Sequence, residues 1–136
     1  MSPSVGVLGG AFNPPHLGHL LLAQEAVAAL GLDELILVPT GTAPHKRIEP
    51  EPGAAVRLEM TAAAVAARPG FGSDAVDDVL GRLGAADGAA QIEMPPVGIS
   101  STLVRERVAA GRPIRWMVPD AVARLIAERG LYGAAA

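Results

Sequence analysis

Gly9-Gly10-Ala11-Phe12-Asn13-Pro14-Pro15-His16-Leu17-Gly18-His19 decides how this chain reads. Ahead of it, Ser4-Val5-Gly6-Val7-Leu8 is a short apolar run halted by the glycine pair, the pattern of a buried strand. Behind it, Leu17, Leu20, Leu21, Val27 and Leu30 recur at helical spacing, with Ala23 filling in and Gly31 placed to end the helix. Glu34-Leu35-Ile36-Leu37-Val38 follows as a second apolar strand, stopped by Pro39. Strand, glycine turn, helix and strand in this order predict a βαβ unit, and with it an α/β fold on a parallel sheet.

The same stretch carries chemistry. Gly9 and Gly10 let backbone N–H groups approach a phosphate, and the helix that follows points its positive end at the same place. His16 and His19 are three residues apart on the first turn, so both imidazoles face one side and can donate hydrogen bonds to phosphate oxygens. Gly18 between them is expected to leave room for a ligand against the helix. As ordinary residues, His16 would cap the helix and His19 would lie on the surface; the agreement of glycines, prolines and junction favours the phosphate reading. Histidines at this spacing can also share a metal ion, but no carboxylate lies nearby in sequence, and no metal site is expected.

Two further segments read as anion grips. Thr42-Ala43-Pro44-His45-Lys46-Arg47 lies between Pro39 and Pro52, and the loop holds Lys46, the single Lys beside ten Arg. A lysine there can reach the crevice as a point charge. Ile99-Ser100-Ser101-Thr102-Leu103-Val104-Arg105 opens a helix with three hydroxyls and an Arg one turn further in. That helix ends at Gly111, and a last one starts at Pro119, turns Val122, Leu125 and Ile126 inward and stops at Gly130. Between these lie a helix from about residue 54 to 68 with Leu58, Ala62 and Val65 on its inner face, a weaker helix near 74–83, and a short strand near 90–94. Only three strands emerge, fewer than an open doubly wound sheet usually has.

Composition sets outer bounds. The chain has 136 residues, room for one domain spanning 1–136. It holds 26 Ala and four aromatic residues, so the core rests on Val, Leu, Ile and Ala. Cysteine is absent, which excludes disulfides, thiolate metal sites and a Cys nucleophile. A net charge of −3 argues against a nucleic-acid partner, and no apolar run approaches a membrane span. Met1-Ser2-Pro3-Ser4 carries no export signal, so a cytoplasmic location is expected.

Gly10 to His19 resembles the signature of the HxGH nucleotidyltransferase superfamily. Within it, Pro44-His45-Lys46, Ile99 to Thr102 with Arg105, Gly111 to Arg115, Val118-Pro119 and Gly130-Leu131-Tyr132 resemble the bacterial nicotinate mononucleotide adenylyltransferases. The resemblance covers about residues 4–68 and 92–132. It implies a Rossmann-like fold, a parallel sheet with flanking helices, and adenylyl transfer from ATP with Mg²⁺ to nicotinate mononucleotide, giving deamido-NAD and pyrophosphate. Carried over, His16 and His19 contact the ATP phosphates, with His19 at the reacting phosphorus, and Lys46 holds phosphate in the crevice. Ser101, Thr102 and Arg105, helped by Ser100, grip the β- and γ-phosphates; the backbone of Gly9, Gly10, Ala11 and Phe12 lines the substrate channel.

The family's pattern also carries a block after the helix ending near Arg68 that this chain lacks, so the fold is expected to be shortened. That block would supply more sheet, a threonine-rich segment and a Gly-Ala-Asp segment with a nearby Trp. Trp116 lies in the C-terminal portion and does not replace it. A non-catalytic nucleotide- or phosphate-binding remnant is the alternative reading, its shortened sheet covered by self-association or a partner.

Overall fold

The computed structural model describes residues 2–41, 52–66 and 93–134. Strand β1 (Val5–Gly10) pairs in parallel with β2 (Glu34–Pro39), in register from Val5 opposite Glu34 to Gly10 opposite Pro39. Helix α1 (Leu17–Leu30) connects them, so the predicted βαβ opening is present. Gly31 closes α1 in the left-handed region, at φ 60°, and its N–H donates to the Val27 carbonyl. Asp33 and Ser4 then clasp the two strand starts. The Ser4 N–H donates to Asp33 Oδ2 at 2.7 Å and the Ser4 hydroxyl to the same oxygen at 3.0 Å. These bonds hold the Asp33 carboxyl below the usual carboxylate range.

Among the described residues three helices follow: α2 (Ala54–Ala66), α3 (Ser101–Ala109) and α4 (Asp120–Glu128), then a 3₁₀ turn at Leu131–Gly133. Their shared core joins Met60 and Ala64 of α2 to Val104 and Val108 of α3, Val118, Val122 and Ile126 around α4, and Tyr132. Each fully buried aliphatic side chain there contributes about 1.5–3 kcal/mol. Arg129 beyond α4 clamps both carboxylate oxygens of Glu59 on α2, at 2.8 and 2.9 Å. Among the described residues no helix is long and apolar enough to cross a membrane.

Three expectations need correction. β1 is not a buried strand: Val7 is 36% exposed, because no described element covers that face, whereas Leu35 and Ile36 of β2 are buried. Helix α2 also turns a different face inward. Arg57, Met60, Thr61 and Ala64 are buried, while Leu58 is 56% exposed and Ala62 lies outside with it. With Ala on most sides, α2 is oriented by the bonds of Arg57 and by the fit of Met60, not by an apolar stripe. The helix near 74–83 and residues 90–92 of the short strand lie outside the described residues; Glu93 and Met94 are not in a strand.

Candidate active site

The turn after β1 is built on glycine and on an unusual backbone. Phe12 sits at φ 46°, a region costly for a bulky residue, of order 1–3 kcal/mol, that surrounding contacts must offset. Its ring is buried and lies against Gly10, where an added Cβ would come within 3.2 Å of it. The ring meets His19 edge-on, with centroids 4.9 Å apart. The Phe12 side chain is therefore packing beneath the turn, and only backbone here can face a substrate. Gly9 and Ala11 are exposed and Gly10 half-buried.

His16 does cap α1. Its Nδ1 accepts the Gly18 N–H at 3.1 Å, and its own N–H donates to His19 Nδ1 at 3.1 Å, a reciprocal pair in the manner of a capping box. Both Nδ1 atoms thus act as acceptors, which fixes each neutral imidazole as the Nε2–H tautomer. The rings stack at 3.8 Å between centroids, tilted by 31°. Burial, with His19 adding to it, lowers the His16 pKa to about 4, and burial lowers that of His19. At neutral pH the pair presents two uncharged N–H donors already oriented, able to answer negative charge as it develops. Gly18 lines the open space beside the pair, and its lack of a side chain also seats the histidine: a Cβ there would lie 3.0 Å from the His16 ring and 3.5 Å from Val97.

The start of α3 comes to the same turn. Ser100 caps it, accepting the Leu103 N–H at 3.1 Å. The Ser101 hydroxyl donates to the Pro14 carbonyl at 2.9 Å, and Arg105 donates to the Asn13 carbonyl at 2.8 Å and to the Thr102 hydroxyl at 3.3 Å. Of the four residues expected to serve phosphates there, Ser101 and Arg105 hold the histidine-bearing loop directly. Thr102 is exposed. His45 and Lys46 lie outside the described residues.

A cavity of about 400 Å³ opens beside the pair, lined by His16, Gly18, His19, Leu22, Ile99 and the segment Met94 to Val97. It falls within the range of small-ligand sites. Three contributors escaped the sequence reading. Met94 to Val97 forms an apolar wall with no motif to announce it. Tyr132 donates its buried hydroxyl to Asn13 Oδ1 across 119 positions, and burial raises the pKa of that hydroxyl. Arg57 is the third, buried and bonded only to main chain. A charged residue on a helix reads as solvated unless its fold is known.

With this geometry in hand, the chain can be set beside known proteins. The cytidylyltransferase-like family matches residues 7–89, which include β1 from Val7 onward, the histidine turn, α1 and β2. A curated relative from Shouchella clausii, named "Probable nicotinate-nucleotide adenylyltransferase", is 34% identical over 185 residues, covering 95% of this chain and 96% of that one. One of the same name from Geobacillus kaustophilus is 32% identical over 186 residues, covering 96% and 86%. A solved structure named for a nicotinate-nucleotide adenylyltransferase, from Vibrio parahaemolyticus, has a similar fold. Its TM-score is 0.62 at 18% identity, over 98% of both chains. This chain belongs to the cytidylyltransferase-like family and, within it, to the nicotinate-nucleotide adenylyltransferases. The Shouchella alignment runs over 185 positions against 136 residues here, so at least 49 positions have no counterpart in this chain. That agrees with a shortened member of the family.

Proposed function

We propose that this chain transfers the adenylyl group of ATP to nicotinate mononucleotide, giving deamido-NAD and pyrophosphate. The observation that carries the reading is the histidine pair, with both Nδ1 atoms engaged by backbone N–H groups and neither Nε2–H bonded to another group among the described residues. A phosphate oxygen of nicotinate mononucleotide forms a bond to the α-phosphorus of ATP. The bond from that phosphorus to the α–β bridging oxygen breaks, and its electron pair leaves with pyrophosphate. No enzyme group need bond to the substrate, so catalysis is positioning and charge stabilisation. His19, with His16 behind it, meets charge at the α-phosphate; Lys46 serves the phosphates from its loop, and Thr102 with Arg105 the leaving group. The backbone of Gly9, Gly10, Ala11 and Phe12 edges the channel, as a single domain acting in the cytoplasm.

No group of three or more His, Cys, Asp or Glu side chains stands together among the described residues to hold a metal ion. Mg²⁺ enters this reading as part of the ATP substrate, carried on its phosphates with most of its water.

The 49 or more positions without counterpart favour a second reading, a binding remnant that holds ATP without turnover. Pyrophosphate release from ATP, Mg²⁺ and nicotinate mononucleotide, with His19→Ala in parallel, decides between them. Turnover lost in the variant supports adenylyl transfer. A folded chain that binds ATP and releases no pyrophosphate supports the remnant.

A further inference from the structure

Arg57 is 2% exposed, and among the described residues no carboxylate pairs with it. Its guanidinium bonds only to main-chain carbonyls. Nε donates to Pro52 at 3.3 Å, Nη1 to Ala11 at 2.9 Å and Thr40 at 2.6 Å, and Nη2 to Gly41 at 3.2 Å. Burying a cation this deeply is costly where an apolar side chain would pack, so its place calls for a reason. Ala11 lies just past β1, and Thr40 and Gly41 just past β2. One rigid, planar fork therefore ties together the carboxyl ends of two parallel strands, the place where such sheets bind ligands.

The bonds also orient the backbone. A trans peptide holds its C=O and N–H on opposite sides. With the Ala11 and Thr40 carbonyls drawn to Arg57, the Phe12 and Gly41 N–H groups point away from it. Neither N–H donates to another group among the described residues. The turn that leads to His16 leaves from Ala11, and the segment that carries Lys46 leaves from Gly41.

We propose that Arg57 is a positioning residue, setting the histidine turn and the departure point of the Lys46 segment in one frame; the proposal rests on the adenylyl-transfer reading above. It touches no substrate and acts through the loops it joins.

Arg57→Met removes charge and fork at similar length; Arg57→Lys keeps the charge and loses the fork. Circular dichroism establishes folding, and pyrophosphate release at limiting and saturating ATP separates kcat from KM. The expected result is a folded Arg57→Met with kcat lowered about 10- to 100-fold, KM for ATP changed less, and partial recovery in Arg57→Lys. A folded Arg57→Met with kcat within about twofold of the unaltered chain overturns the proposal. Should Arg57→Met not fold, Arg57→Lys decides by the same criterion; if neither folds, Arg57 is a folding requirement and the proposal falls. An unaltered chain without turnover defeats the adenylyl-transfer reading on its own. Amide chemical shifts in Arg57→Lys then test the positioning separately. Shifts that move at Phe12, His16 and Gly41 together, with α3 and α4 undisturbed, support it, and unmoved shifts overturn it.

Discussion

The main-chain N–H of His16 donates to Nδ1 of His19, and the ring of His16 in turn accepts from the Gly18 N–H in the same first turn of the helix. Backbone N–H groups, of Gly18 for His16 and of His16 for His19, thus fix both tautomers, and one motif both starts α1 and arms the site.

His19→Ala should therefore do two separable things. It removes an N–H donor aimed at developing charge, lowering kcat about 10²- to 10³-fold. It also leaves the His16 N–H without its acceptor, costing about 1 kcal/mol and a few degrees in melting temperature. Circular dichroism with a thermal melt and a pyrophosphate assay read both. A melt showing a chain already unfolded at 25 °C would sink the assignment of His19 to chemistry.

The depressed histidine pKa values make a pH prediction with a definite sign. Unfolded, each imidazole takes up its proton near its ordinary value of 6.5; folded, His16 waits until about 4. The contribution to stability is complete above 6.5 and is lost as pH falls through the window from 6.5 to about 4. His16→Asn keeps a capping acceptor and removes the titration, so its melting temperature should fall less over that window. Parallel curves for the two proteins would show that His16 is not the group responsible.

Gly18→Ala sets a helix gain of about 1 kcal/mol against a Cβ pressed to 3.0 Å from the His16 ring. Crowding of that kind costs about 1–3 kcal/mol, so stability should change little or drop slightly. Turnover should drop clearly, about tenfold or more, because the ring must move. Full activity in this variant would mean that the ring's position is unimportant.

The orientation of α2 can be tested without activity. Met60→Ala, in the core, should cost about 2–5 kcal/mol, whereas Leu58→Gln on the outer face should stay within about 0.5 kcal/mol. Urea unfolding of both variants checks the contrast, and a reversed order would restore the face that the sequence pattern favoured.

That pattern was legible wherever backbone chemistry is local. Glycines at 31, 111 and 130 all adopt positive φ at the helix ends the sequence assigned them, and Ser100 caps where its hydroxyl predicted. The histidine pair was legible for the same reason, being three residues apart on one helical turn. α2 was not, since a helix made mostly of Ala carries little contrast between its faces. Arg57 was hidden by its type, and Tyr132 by distance along the chain. Its bond to Asn13 depends on how α2, α3 and α4 pack around it, which no short window contains. Two side chains that the sequence read as phosphate grips on α3, Ser101 and Arg105, also bond to the loop itself, which only geometry reveals.

The loop at Asn13 and Pro14 is held by Ser101, Arg105 and Tyr132, which lie 87, 92 and 119 positions further on. During synthesis, then, the histidine turn emerges early but waits for nearly the whole chain before its scaffold exists. Contacts of such long range form late and slowly. A partly made or proteolytically shortened chain ending before Tyr132 would keep its sequence motif intact and lack the buttress that shapes it.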